Sequence, residues 1–194
     1  MVIRKEKTVM AISEFNLAQY QRAARKLLIT VAEWDDPNGS ITITEGTNSY
    51  KVDREILGRR TEDSSIEYNA DIETTTDILG INYTDINKTQ PQQDFDPYLI
   101  LGGSKLGAKL NDIRKRNALT ELSQFRLYVI TAYIGNSSDG YEAERHVNCT
   151  ITYNSLGGDS NVNMPISAYF SNESTVGTVD KLSDDFTFTP DVTV

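Results

Sequence analysis

The sequence offers few side chains that could carry out a reaction. The single histidine, His146, and the single cysteine, Cys149, stand three positions apart in an alternating segment. Alternation places residues i and i+3 on opposite faces of a strand, so a Cys–His nucleophile pair is not expected. A histidine at a strand edge and a buried cysteine are the favoured interpretation.

Carboxylates are the usual groups of acid–base catalysis. Three of them recur at short intervals in one segment: Glu67, Asp71 and Glu73. They share one solvated strand face, where neither burial nor a partner would give them different roles. Asp94 and Asp96 are too few for a calcium loop, which needs several oxygen ligands at fixed spacing. We therefore predict no enzyme activity, no metal and no cofactor.

The run Gly102–Lys105 resembles part of a phosphate-binding loop but lacks the full G-x-x-x-x-G-K-[ST] pattern. Ser104 instead fits the N-cap of a helix over about 104–117. Three apolar residues at i, i+4 and i+7 give this helix one buried stripe: Leu106, Leu110 and Ile113. Its basic side chains could contact nucleic acid, but the net charge of −9 favours a solvated face or an acidic neighbour.

Composition fits a single β-rich domain with extensions. The chain has 194 residues, of which 38% are hydrophobic, and one cysteine excludes an intrachain disulfide. No apolar run approaches the roughly 20 residues of a membrane span, and the first residues lack the apolar core of a signal peptide. We expect synthesis in the cytoplasm.

The clearest strand is predicted over residues 66–78. Its apolar side chains fall on one face, and four acids with no base fall on the other. At about 3.3 Å per residue this strand would extend on the order of 40 Å. The apolar face would pack on a core and the acidic face would meet water.

The remaining pattern predicts a mainly β fold, a β-sandwich or open barrel with one packed α-helix. Residues 1–25 form an N-terminal arm, 26–170 the sandwich domain, and 171–194 a C-terminal strand or arm. A hairpin is expected at 26–45, and a long loop at 53–65, where charges lack any period. The strand from Phe125 to Ile134 is apolar on both faces and should be buried.

Several segments resemble the major tail protein, or tail tube protein, of long-tailed, non-contractile phages (siphophages) of Gram-positive hosts. The resemblance lies in Asp85–Tyr98 (DINKTQPQQDFDPY), Gly102–Leu106, Leu110–Ala118, Leu122–Tyr133, Gly177–Val179 and Phe186–Pro190. It implies a virion structural subunit that forms homo-hexameric rings, stacked into a tube through which DNA is ejected without specific binding. Its partners would be further copies of itself, a tape measure protein, and tail terminator and distal tail proteins.

Two sets of residues follow from this resemblance as candidates. A lumen of the same charge as DNA lets the genome slide, so the acids of the strand at 66–78 are expected to line it: Glu67, Asp71, Glu73 and Asp77. The loop at 53–65 is expected to contact the next ring through Arg54, Glu55, Arg59, Arg60, Glu62 and Asp63.

Two other classes of protein fit the same residues. The tube of a phage-derived bacteriocin or injection particle would share the fold and is not distinguished by sequence. A carbohydrate-binding β-sandwich would need aromatic side chains clustered on one face. Trp34 and ten tyrosines are present, but the tyrosines are scattered.

Overall fold

The computed structural model describes residues 28–45, 47–59, 61, 64–159 and 161–191. The predicted arm at 1–25 lies outside the described residues, and so do Arg60, Glu62 and Asp63.

The described residues are mostly in strands and include one α-helix. The elements are β1 (Leu28–Asp35), β2 (Ile41–Glu45), β3 (Asn48–Ile56), β4 (Ile66–Glu67), β5 (Asp71–Thr76), β6 (Asn82–Lys88), β7 (Gln92–Phe95), α1 (Lys105–Arg116), a 3-10 helix (Leu119–Ser123), β8 (Phe125–Asn136), β9 (Gly140–Tyr153), β10 (Ile166–Tyr169), β11 (Ser174–Val179) and β12 (Phe188–Pro190).

Strand β9 joins two parts of one large antiparallel sheet. The order is β2-β3-β1-β8-β9-β10-β7-β4, and β9 also pairs with β11, which pairs with β12. Register shifts between His146 and Cys149, opposite Leu127 and Phe125, and Asn148 takes a φ of 56°. Such a bulge bends a strand, so β9 turns the sheet around the core. The sheet stays open, which confirms the predicted fold class.

Helix α1 lies where the sequence predicts it. The Ser104 side chain accepts a hydrogen bond from the Gly107 N–H, and Asn117 ends the helix in the left-handed conformation. The stripe Leu106, Leu110 and Ile113 is fully buried against the sheet.

Strand β8 lies between two apolar clusters. Leu127 and Val129 face α1, whereas Tyr128 and Ile130 face a second cluster with Val179 and Phe186 of the C-terminal segment. The prediction that this strand is apolar and buried on both faces is therefore confirmed.

Two predictions about the first strands are wrong. Residues 28–45 do not form the hairpin predicted for 26–45, because β3 lies between β1 and β2 and pairs with both. The loop at 53–65 begins later than predicted, because β3 continues to Ile56. Two charges that the sequence places in this loop bind groups elsewhere in the fold: Arg54 pairs with Glu33, and Glu55 accepts from the N-terminus of α1.

Candidate assembly surface

Residues 66–95 fold back on themselves as one long β-ribbon. At its base Ile66 pairs with Gln93; further out the Gln90 N–H donates to the Tyr68 carbonyl at 3.0 Å, and β5 then pairs with β6. The predicted continuous strand over 66–78 is wrong, because Asn69, at a φ of 40°, separates β4 from β5.

The outer ribbon, β5 and β6 with the turn between them, packs on no core. Every residue of both strands is exposed, and among described residues the two strands pair only with each other. Ile72 is 59% exposed and Ile78 fully exposed. The prediction that these apolar residues pack on a core is therefore wrong, because the ribbon extends beyond the edge of the sheet that it leaves.

Cross-strand pairs give the two faces of the outer ribbon different chemistry. Ile72 lies opposite Ile86, next to the pair Thr74–Thr84. On the other face Glu73 lies directly opposite Asp85. Like charges in this position destabilise a strand pair, and an isolated two-stranded ribbon is marginally stable in water. The ribbon therefore gains stability from a surface that covers its apolar face, Ile72 and Ile86.

Asp77 organises the turn at the ribbon tip. One carboxylate oxygen accepts from the N–H groups of Leu79 at 2.8 Å and Ile81 at 2.9 Å. These bonds hold the pKa of the Asp77 carboxyl below its usual value, and the bond from Ile81 has the largest effect. The carboxylate is thus ionised at neutral pH, and the turn presents Ile78 and Leu79 outward, 102% and 77% exposed.

We expect Asp77→Ala to loosen the tip without unfolding the subunit. Two N–H groups lose their acceptor, so hydrogen exchange at Leu79 and Ile81 should accelerate on the order of tenfold, while the core amides stay protected. Exchange measured by NMR checks this, with Asp159→Ala as control. Unchanged exchange at both amides would contradict the assigned role of Asp77.

The four predicted lumen acids occupy different settings. Glu67 lies in β4, Asp71 opposite Lys88, and Glu73 accepts from the Asn87 side chain at 3.3 Å. Asp77 is engaged in its turn. Sequence reasoning did not select Asp85, because its place opposite Glu73 depends on the pairing of β5 with β6. The lumen-facing role of these acids stays a prediction.

The predicted stacking residues divide into internal and exposed ones. Arg54 lies in β3, is 3% exposed and donates to Glu33 at 2.5 Å, so its assignment to a loop is wrong. Glu55 is also internal: it accepts from Ser104 Oγ and the Leu106 N–H, both at 2.9 Å, and from Tyr98 Oη at 2.8 Å. Arg59 is exposed, and its stacking role stays a prediction.

Glu55 also decides the interpretation of the Gly102–Lys105 run. Its carboxylate occupies the N-terminus of α1, where a phosphate would bind, so this turn is a helix entry. Three basic residues of the helix have acidic neighbours, as expected: Lys105 with Asp53, Lys109 with Glu121, and Arg116 with Asp112 and Glu121.

The bulge in β9 changes the expected geometry of His146 and Cys149. They lie opposite Leu127 and Phe125, which share a face, so the two are not on opposite faces as alternation predicts. Cys149 is fully buried, and burial raises the pKa of its thiol, which disfavours the thiolate. His146 Nδ1 lies 3.0 Å from the Ser171 carbonyl.

No group of three or more His, Cys, Asp or Glu side chains among the described residues could hold a metal ion. No helix in the described part of the chain is long and apolar enough to cross a membrane.

Comparisons with known proteins give structural similarities only. No protein-family model matches the sequence, and a search of curated proteins finds no significant match. The chain is similar to the anti-feeding prophage tube-terminating cap, with 12% identity, a TM-score of 0.44, and coverage of 87% of this chain and 99% of that one. It is also similar to a chain of an extracellular contractile injection system sheath–tube complex (PVC) in the extended state, with 12% identity, a TM-score of 0.39, and coverage of 87% and 99%. A chain of the anti-feeding prophage baseplate gives 9% identity, a TM-score of 0.42, and coverage of 84% and 100%.

Proposed function

We propose that this chain is a structural subunit that assembles with copies of itself into a tube, as in a phage tail or a phage-derived injection particle. One observation carries the proposal: a β-ribbon leaves the folded body and exposes large apolar side chains that nothing in the described chain covers. They are Tyr68, Ile72, Ile78, Leu79, Ile81, Tyr83 and Ile86.

The chemistry of the ribbon favours a protein partner. Contiguous exposed apolar surface marks interaction sites, and an unpaired strand edge is a template for another strand. The outer ribbon carries Asp71, Glu73, Asp77 and Asp85 against one base, Lys88. This acidic character opposes binding to nucleic acid or to an anionic membrane surface.

A projecting ribbon also favours repetition over simple pairing. A contact between the ribbon of one copy and the body of another joins two different surfaces. Unless two copies exchange ribbons reciprocally, such a contact is heterologous and produces rings or open filaments. Stacked hexameric rings are the form that the resemblance of Asp85–Tyr98 and Leu122–Tyr133 to tail tube proteins implies. On this proposal the chain is a virion component, and DNA passes through the tube without specific binding.

Sedimentation velocity tests self-assembly directly. We expect the purified chain to form large species in a concentration-dependent manner, because burial of apolar surface drives association. A single monomeric species up to high concentration would overturn the proposal.

We expect the double variant Glu67→Lys/Glu73→Lys, assembled at saturating concentration, to slow DNA release from the particles it forms. Two new positive charges in a lumen would hold phosphate groups by a contact that weakens as salt rises. Asp77 is left intact because it folds the tip. Release measured at several salt concentrations checks the prediction, with Asp96→Lys/Asp159→Lys as a control of equal charge. Equal release from both doubles would contradict the lumen assignment.

A further inference from the structure

A concave surface at the base of the ribbon could receive its tip. This basal groove has a volume of about 560 Å³, and its lining includes Ile29, Ile56, Leu57, Arg59 and Phe95. Gln93 of β7, which pairs with β4 at the root of the ribbon, also lines it. Leu57 and Phe95 are 6% and 1% exposed, so the floor of the groove belongs to the core.

We propose that the basal groove of one copy receives the ribbon tip of another copy, with Ile78 and Leu79 entering it. This inference rests on the proposed self-assembly and names the surface that covers the tip.

Size and chemistry of the two surfaces agree. The groove falls within the range of about 300–1,000 Å³ typical of small-ligand pockets, so it has room for two aliphatic side chains. The turn that Asp77 holds makes Ile78 and Leu79 the most exposed of the large apolar residues. Apolar side chains on a narrow turn are suited to contact the apolar floor of the groove, Leu57 and Phe95.

Charge favours the basal groove over a second groove as the site that receives the ribbon tip. Among the described residues that line the basal groove, the charged one is Arg59, which the acidic ribbon would approach. A second groove of about 380 Å³, near His146, instead contains the carboxylate of Glu144. Like charges across an interface disfavour binding, so the acidic ribbon fits the basal groove better.

The tip and the basal groove lie at opposite ends of the same ribbon. The six residues of β5 alone span about 20 Å, so a rigid ribbon cannot fill the groove of its own copy. Insertion therefore joins each copy to the next in a head-to-tail sense. Repetition of that contact closes a ring or extends a filament.

Site-directed cross-linking of the full chain tests the contact. Copies carrying Ile78→Cys are mixed with differently tagged copies carrying Ile56→Cys, allowed to assemble, and treated with a short bismaleimide. The buried Cys149 stays in place, and wild-type copies report its background. The matched control replaces the acceptor by Tyr68→Cys, which lines the second groove.

Strong cross-linking of Ile78→Cys to Ile56→Cys, and little to Tyr68→Cys, supports the inference. Assembly without the first cross-link, or with the second one dominant, overturns it and leaves the proposed function standing. Absence of assembly in the wild-type protein overturns both.

A second variant tests the charge argument. Arg59→Glu places a like charge near the acidic ribbon, and we expect the dissociation constant for self-association to rise about tenfold or more at low salt. The effect should shrink as salt increases, while the melting temperature stays unchanged. Unchanged association at low salt would overturn the inference.

Discussion

Replacing both Ile78 and Leu79 by serine abolishes assembly at concentrations where the wild-type protein is fully assembled. Burial of one large aliphatic side chain contributes about 1.5–3 kcal/mol. Two such side chains lost from each contact weaken it by about 3–6 kcal/mol, on the order of 10²–10⁴-fold in the dissociation constant. Sedimentation velocity over a range of concentrations measures this loss.

The fold itself should not change in this variant. Both side chains are exposed in the subunit, and substitutions at exposed sites usually alter the free energy of unfolding by about 0.5 kcal/mol or less. Leu119→Ser/Val162→Ser removes two comparably apolar exposed side chains away from the ribbon and should leave assembly intact. Normal assembly of the tip variant, or equal loss in the control, would contradict the role of the ribbon.

Glu33→Ala should lower the free energy of unfolding by about 3–5 kcal/mol, the largest single effect on stability that we expect. Glu33 is fully buried and binds both Arg54 and Arg126. Arg54 in turn donates to the Phe186 carbonyl at 2.5 Å and lies 4.1 Å from the centre of its ring. Without Glu33, the Arg54 guanidinium is left buried without its carboxylate, and the C-terminal segment loses part of its anchor.

Denaturant unfolding measures this effect. Asp112→Ala serves as control, because it also removes a carboxylate paired with an arginine, but at an exposed site on α1. Exposed pairs contribute about 0–1 kcal/mol, so the control should unfold nearly as the wild type does. Losses of equal size in the two variants would show that the buried cluster does not stabilise the fold as its geometry implies.

Signals from neighbouring residues explain why helix α1 and strand β8 can be predicted from the sequence. Ser104, the stripe of Leu106, Leu110 and Ile113, and the C-terminal Asn117 lie within one segment, so the helix and its ends follow from neighbouring residues. Strand β8 is apolar on both faces, which indicates burial on both faces without knowledge of what covers it.

Pairing between segments that are far apart in the sequence explains why the sequence does not predict the ribbon or the order of β1, β2 and β3. Periodicity in residues 66–78 identifies which side chains share a face but not the surface against which that face packs. Its partner is the segment 82–95, and the outer part of this pair lies beyond the body. Likewise, β3 lies between β1 and β2, where its Arg54 binds Glu33 of β1, 21 positions away, and no local pattern indicates this pairing.

The sequence predicts the acidic residues of the candidate site but not how they are arranged. The acids from Glu67 to Asp77 lie on or near the ribbon, but Asp77 holds a turn, and Asp85 faces Glu73 only once the register is known. Three of the apolar residues that carry the proposed function are predicted from the sequence to face a core: Tyr68, Ile72 and Ile78. Amphipathic strands bury their apolar face in the same way against their own chain or against a neighbour, so the sequence pattern is identical.

Electron microscopy of the purified, assembled protein tests the central claim most directly. We expect hollow tubes, or rings with sixfold end views, whose formation is lost in Ile78→Ser/Leu79→Ser and retained in Leu119→Ser/Val162→Ser. Solid aggregates without a channel, or monomers of the wild-type chain at high concentration, would contradict it.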